Sequence, residues 1–477
     1  LHTARRWRRV TVLLALLLTA GCVLFEPPPP DVMVVVLDTV RPDRLKTYGG
    51  ARSNSNQLDA IADAGVVFHD VTASGTWTWP SHAALFTGEP PWVSGAHWSA
   101  ESDTVDAETG YWTVSPMRTD LPTLAERFAD AGYRTVSLAS NSLLDPKLGL
   151  TRGFDRAEWL KRDESVVRAV KALLSEPDPR PLFLFVNLMA AHAPYTLAPA
   201  VPWSDNHRRM LHSEKGPDWV KRYRTDRIPP ALALGQRPGP GQLTGEEAYA
   251  KGALELTDLD LRFIEDLYDG ELVRLDLAMV EIVGAWNRSG RGSGIMAVTS
   301  DHGEYLGEHG LIGHGIRVFD EVTRVPLVIA APGRLEQGVA VHTPVQLRDL
   351  YPTLLDLSGI EEGAEGSLVA VTGGDPREGP ILSRAWPMPV FSRNVGGRYT
   401  HGQRLYREGS TAFVVDDDGQ GALFSLAADR SMKVAVQEDL APWAKKASTA
   451  FPEATVSGAV TVPDEALQQL KALGYVE

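Results

Sequence analysis

A chain of 477 residues with 43% hydrophobic residues is long enough to bury a large core, and its formal net charge of −14 excludes nucleic-acid binding through a general basic surface. Its single cysteine, Cys22, excludes an internal disulfide framework. An anionic substrate would have to be met by local groups rather than by the surface as a whole.

The amino end reads as an export signal. Arg5, Arg6, Arg8 and Arg9 precede an apolar run from Val10 to Leu18, too short for a comfortable membrane span, and Thr19-Ala20-Gly21-Cys22 follows. That last run resembles a bacterial lipobox with Thr19 where Leu is usual. Residues 1–22 are therefore read as a signal peptide whose Cys22 carries a lipid anchor, the alternative being a plain cleaved signal with a buried cysteine. The Pro-rich stretch 23–30 becomes a short stiff tether. The reading places the protein outside the cytoplasm, held to a membrane on its periplasmic or outer face.

From Asp31 to about residue 360, strand and helix patterns alternate. The first strand, Val32 to Leu37, is apolar throughout and ends in Asp38-Thr39; helices are predicted at Gln57 to Ala64 and Leu121 to Ala131. Between them lies Thr78-Trp79-Pro80-Ser81-His82-Ala83-Ala84-Leu85-Phe86-Thr87-Gly88, with Thr78 as N-cap, Pro80 tolerated in a first turn and Gly88 fitting the helix end. Read alone, this is an ordinary capped helix. Its free N–H groups and the positive end of its dipole would also hold an anion against the Thr78 hydroxyl. Trp77, Trp79, Trp92 and Trp98 are read as core, with an aromatic or sugar-binding entrance as the alternative.

Farther along, a strand at Leu182 to Leu188 leads to His192, and the Pro- and charge-rich stretch Val201 to Gly241 reads as a lid or surface loop. A helix is predicted from Asp266 to Ala285. The strand Ile295 to Thr299 then runs straight into Ser300-Asp301-His302-Gly303-Glu304. Open α/β sheets place ligands at the carboxyl ends of their strands, so two apolar strands each ending in Asp point to a cation site at one sheet edge. The alternative is two turn-forming Asp residues. A helix from Arg348 to Ser358 closes the region, and Glu361 to Gly379 reads as a Gly-rich linker. Arg404 to Tyr406, Thr411 to Val415 and Ala422 to Leu426 read as antiparallel strands, before a last helix from Asp464 to Leu473.

The Thr78 segment resembles the sulfatase signature, in which a Cys or Ser that is oxidised to formylglycine is followed, after one residue, by Pro-Ser-Arg and a helix ending in Gly. Here Thr78 replaces the Cys and His82 the Arg. The β-carbon of threonine already carries a methyl group and gives no aldehyde. An active Thr78 must therefore attack as an alkoxide, which shifts the expectation from sulfate esters towards phosphorus esters. Asp38 and Asp301-His302 match metal positions of the sulfatase and alkaline-phosphatase superfamily. Gly303 to Gly310, Gly313-His314-Gly315 and Arg324 to Leu327 match the stretch that follows, and ordered matches such as Gly153-Phe154-Asp155 and Asp349 to Gly359 carry the resemblance over most of the chain.

The resemblance implies a large α/β sheet flanked by helices over residues 31–360, and a small C-terminal antiparallel sheet and helix over residues 361–477. It implies one divalent cation on Asp38, Thr78, Asp301 and His302. The imidazole favours manganese or zinc, with magnesium or calcium as alternatives. Ordinary sulfatases have a second Asp at the Thr39 position and often Asn at His302, so the set is more similar to that of phosphonate monoester hydrolases and lipoteichoic acid synthases. A two-metal site would need an Asp four residues before His192, where Leu188 stands. Thr78 is then the nucleophile, His82 and His192 contact the substrate anion, His314 binds the anion or protonates the leaving group, and His309 supports the site from behind or is structural; read alone, His192 would be a satisfied core histidine. The expected substrate is a small-molecule, lipid or glycan ester. The competing readings are a sulfatase working without formylglycine and a non-catalytic surface lipoprotein, and the intact Asp38, Thr78, Asp301 and His302 weigh against the latter.

Overall fold

The computed structural model describes residues 28–97, 113–195, 243, 245–452, 460–461, 465–466 and 468. The predicted signal and Cys22, most of the tether, Trp98, the 201–241 stretch and most of the 464–473 helix lie outside the described residues.

The strand Val32–Leu37 (β1) is buried at all six positions. Alternation sends Val32, Val34 and Val36 into one core and Met33, Val35 and Leu37 into the other, so both faces of the strand are covered. It is followed by Val66–Thr72 (β2), Thr113–Val114 (β3), Arg134–Ala139 (β4), Arg156–Trp159 (β5), Leu182–Leu188 (β6), Ile295–Thr299 (β7), Tyr305–Leu306 (β8), Ile312–Gly313 (β9), Arg324–Ala330 (β10), Val339–Val341 (β11) and Val345–Gln346 (β12). Among the described residues the main sheet has nine strands in the order β11-β2-β10-β7-β1-β6-β4-β5, with β12 also pairing β2. Within it β10 runs antiparallel to β2 and β7, and the other pairs are parallel. Consequently β1, β2, β4, β6 and β7 all deliver their carboxyl ends to one edge.

Helices Asn56–Asp63, Asp163–Leu173 and Asp258–Arg288 cover one face; Thr78–Thr87, Leu124–Asp130 and Leu350–Leu357 cover the other. The predicted helices that fall within the described residues are present with shifted ends. Leu124 rather than Leu121 opens its helix because Thr123 and Glu126 form a capping box just after Pro122. The helix predicted from Asp266 extends back to Asp258, where Thr257 and Asp260 form the same device. The supposed linker contains a helix, Leu368–Thr372, whose Leu368 and Val371 are buried, so it is packed structure despite its glycines. Trp77, Trp79 and Trp92 are buried and belong to the core, not to an entrance.

A second sheet follows, Ile381–Ala385 (β13), Gln403–Glu408 (β14), Thr411–Asp416 (β15) and Gly421–Ser425 (β16), antiparallel in chain order. β13 had no counterpart among the predicted strands. The helix Ala441–Ala450 lays Trp443 against Tyr406 of β14. Charge fastens this sheet to the main one: Asp70 of β2 takes both guanidinium nitrogens of Arg407, at 2.8 and 2.6 Å, and Arg430 at 2.6 Å. Arg430 also reaches Asp320 at 3.0 Å. Among the described residues no helix is long and apolar enough to cross a membrane.

Candidate active site

Because β1 and β7 are adjacent and parallel, the acids that follow them arrive side by side. Asp38 Oδ2 accepts Asn141 Nδ2 at 2.7 Å and Asn187 Nδ2 at 3.3 Å. Asp301 Oδ1 accepts the backbone N–H of His302 at 3.0 Å and of Thr39 at 3.4 Å. To aim that N–H, Thr39 adopts φ 59°, a region that β-branched residues avoid. Tyr268 holds the turn, donating to Thr39 O at 2.8 Å and accepting Arg41 N at 2.9 Å. The Thr39 hydroxyl is spent on the Asp38 carbonyl at 2.7 Å. After His302 only glycine fits, since a Cβ on Gly303 would lie 2.1 Å from Glu321 O.

His302 Nδ1 is 3.0 Å from Gly303 O. A carbonyl only accepts, so the ring proton sits on Nδ1 and Nε2 carries a lone pair. That lone pair stands 3.4 Å from Asp301 Oδ2 and 3.8 Å from Asp38 Oδ1. Among the described residues none of these three atoms has a hydrogen-bond partner, and all three side chains are fully buried. Acceptors left facing one another away from water are unfavourable unless something positive stands among them. The ligand atoms of Asp38, Asp301 and His302 lie within 4.8 Å of one another, and two carboxylate oxygens with one imidazole nitrogen fit a divalent cation. The acidities agree. Burial and the neighbouring Asp38 push Asp301 well above its ordinary value, and burial with His314 nearby drives His302 well below its own. Burial would raise Asp38 too, but His192, His302, the Asn141 amide and His82 bring it below the usual carboxylate range.

Thr78 opens its helix at the same edge, after β2. It is not the N-cap: Trp77 takes that extended position without a side-chain cap bond, and Thr78 is the first helical residue. Its hydroxyl is thus not used for capping and lies 3.1 Å from Asn141 Nδ2, the same amide nitrogen that holds Asp38. His82, one turn on, donates Nδ1–H to Thr78 O at 2.9 Å and lies 3.5 Å from Asp301 Oδ2. Phe86 and Phe185 wall its ring, and burial lowers its pKa. His82 therefore sits between the first helical turn and Asp301, the place its spacing from Thr78 implies.

His192 and His314 come together edge to face at 4.8 Å, and His314 lies 4.4 Å from His302. Burial holds His314 well below the usual histidine range. Its Nδ1 is 2.9 Å from Oε1 of Glu304, a fully buried acid that burial raises to about 8 against the pull of His192. His309 stacks on Phe319 at 3.9 Å and reaches Glu321 at 3.2 Å. The sequence reading missed Asn141, Asn187 and the part played by Glu304. Asn141 had only a faint signal, the polar pair Ser140-Asn141 just past β4, whose own run mixes Arg134, Thr135 and Ser137 with apolar residues; Asn187 had another, a lone amide inside an apolar run.

Paired buried carboxylates, an imidazole and a helix-borne hydroxyl at the carboxyl edge of this mixed sheet belong to an ester hydrolase of the alkaline-phosphatase-like superfamily. Within it the chain belongs to the sulfatase family, whose model, Sulfatase, matches residues 30–360. It is similar to the uncharacterized sulfatase YidJ of Escherichia coli (strain K12), 24% identical over 381 residues, which is 70% of this chain and 68% of that protein. It is also similar to the Delta 4,5-hexuronate-2-O-sulfatase of Bacteroides thetaiotaomicron, 23% identical over 425 residues, 80% of this chain and 81% of that one. Among solved structures the phosphonate monoester hydrolase of Agrobacterium radiobacter shares the fold, with a TM-score of 0.61 and 19% identity over 93% of this chain and 96% of that chain.

Proposed function

We propose that the chain cleaves or transfers a phosphorus ester, with Thr78 as the nucleophile. The observation that carries this reading is the Asn141 amide, 3.1 Å from Thr78 Oγ1 and 2.7 Å from Asp38 Oδ2, which sets a hydroxyl at a helix start against the buried acids. Asp38, Asp301 and His302, with the Thr78 oxygen, would hold one divalent cation; the imidazole favours manganese or zinc, with magnesium or calcium as alternatives. Such a cation lowers the pKa of an oxygen it touches, as water falls from about 15.7 to about 7 in the best cases. Thr78 attacks phosphorus in line, the leaving oxygen takes a proton from His314, and the phospho-threonine passes to water or a second alcohol. His192, edge to face with His314, contacts the anion, and the helix N-terminus adds its dipole. His82 keeps Thr78 and Asp301 in register.

The relatives named for sulfate esters favour a second reading, a sulfatase without formylglycine. Matched aryl sulfate, phosphate monoester, phosphodiester and phosphonate substrates, each with manganese, zinc, magnesium or calcium, separate the two. Faster turnover of a phosphorus ester supports the first reading, and faster sulfate turnover overturns it. We also propose that Cys22 anchors the protein to a membrane. Cys22→Ser should then move it to the soluble fraction, and acyl-chain mass spectrometry of the wild type should find the lipid; an unmodified Cys22 refutes the anchor.

A further inference from the structure

We infer that Glu304 is a positioning residue for His314, fixing Nδ1 so that Nε2 is the nitrogen presented to the leaving group. The inference rests on the reading of His314 as the leaving-group acid.

The local fold produces the pair. β8 and β9 are antiparallel, with Tyr305 opposite Gly313 and Leu306 opposite Ile312, so the next position outward sets Glu304 opposite His314. Both sides of this pair are tied to the site. Arg41 donates to the Glu304 carbonyl at 2.9 Å, and Gly315 N–H donates to Thr76 O at 2.8 Å, just ahead of Thr78. Gly313 and Gly315 flank the histidine with φ 88° and 82°, a left-handed pair that non-glycine residues rarely adopt. Glu304 is completely buried, and the ion-pair partner found for it among the described residues is His314. A buried carboxylate set 2.9 Å from a ring nitrogen resembles the outer partners that orient histidines elsewhere. The single proton between Oε1 and Nδ1 stays there whichever atom holds it, so Nε2 is the atom that gains and loses a proton. As the phosphorus–oxygen bond to the leaving group breaks, that oxygen keeps the electron pair and takes the Nε2 proton. When water attacks phosphorus, its proton passes to Nε2, and the Thr78 oxygen keeps the electron pair of the bond it loses.

The test has one readout that needs no activity and one that does. Long-range proton–nitrogen spectra of the metal-free protein labelled with nitrogen-15 histidine, with His314 assigned by its loss in His314→Gln, should show Nδ1 strongly hydrogen-bonded and the ring proton on Nε2. Glu304→Ala should shift that signal and redistribute the tautomers, and Glu304→Gln should restore part of the pattern. A His314 signal indifferent to Glu304→Ala overturns the inference, whatever ester the protein cleaves. In kinetics, on whichever ester class the wild type turns over, Glu304→Ala should lose roughly 10–100-fold with an alkyl leaving group and much less with 4-nitrophenolate. In a His314→Ala background it should cost no more than about twofold. Equal losses for both leaving groups that add to those of His314→Ala would make Glu304 merely structural. The Thr78 reading fails separately, by the survival of activity in Thr78→Ala.

Discussion

Two clusters of buried acid in this molecule are built to opposite ends. Under the C-terminal sheet, both oxygens of Asp70 are held by Arg407 and Arg430, and despite burial these partners keep its pKa well below the ordinary value. At the carboxyl edge, Asp301 and Asp38 face an unprotonated nitrogen of His302, three atoms lack hydrogen-bond partners among the described residues, and Asp301 is pushed well above its ordinary value. Burial is similar in the two places, so the partner set decides the outcome. The first cluster is complete within the chain and holds two sheets together; the second has no completing partner among the described residues, which suits it to a cation.

The largest effect should come from the hydroxyl that stands beside the incomplete cluster. Thr78→Ala should lose roughly a thousandfold or more in kcat/KM, while Thr78→Ser keeps part of the activity. Melting temperatures should stay close to wild type, because the hydroxyl caps nothing. If Thr78→Ala retains activity within about tenfold, the incomplete cluster is not organised around this oxygen.

Next come the two acids themselves. Asp70→Asn leaves two arginines half-paired beneath the sheet and should cost about 3–5 kcal/mol in urea unfolding, with or without divalent cation. Asp301→Asn should abolish cation binding and activity, yet leave the metal-free protein as stable as wild type or more so. An amide there keeps the two backbone bonds at Oδ1 and can offer an N–H to His302 Nε2, now 3.4 Å from an opposed oxygen. Metal analysis and unfolding of both variants decide the matter. Equal destabilisation by the two would erase the distinction between complete and incomplete.

β1 and β7 were legible because each is a short, largely apolar run followed by polar residues, and that local pattern fixes both the sheet edge and its first acids. Asp38 and Asp301 with His302 were found this way. What escaped depends on contacts distant in sequence. Asn141 reaches Asp38 across 103 residues of chain, and the Glu304–His314 pair exists only because β8 and β9 form a hairpin. The surroundings of His82 escaped for a related reason: its spacing from Thr78 is visible in the sequence, but not the walls of Phe86 and Phe185 around its ring. The Asp70 cluster was invisible too, since nothing local marks an acid in β2 as the partner of arginines beyond position 400.

The smallest effect, roughly a few degrees of melting temperature, is a pH dependence with two limbs of opposite cause. Glu304 is raised from 4.5 to about 8 in the folded protein, so it binds its proton more tightly folded than unfolded. The stability it contributes is full below about pH 4.5 and is lost as the pH climbs through about 8. Asp301, also raised, works in the same direction in the metal-free protein. Asp70 is lowered, so its contribution is present above the ordinary carboxylate value and is lost as the pH falls below it. Melting curves of the metal-free protein from about pH 3 to 9 should therefore fall at both ends. Glu304→Gln should flatten the upper limb and spare the lower, and Asp70→Asn should do the reverse. Saturating manganese should also lift the upper limb, because a cation would then take the place of the proton that Asp301 otherwise keeps. If manganese leaves that limb unchanged while activity depends on it, the cation does not sit beside Asp301.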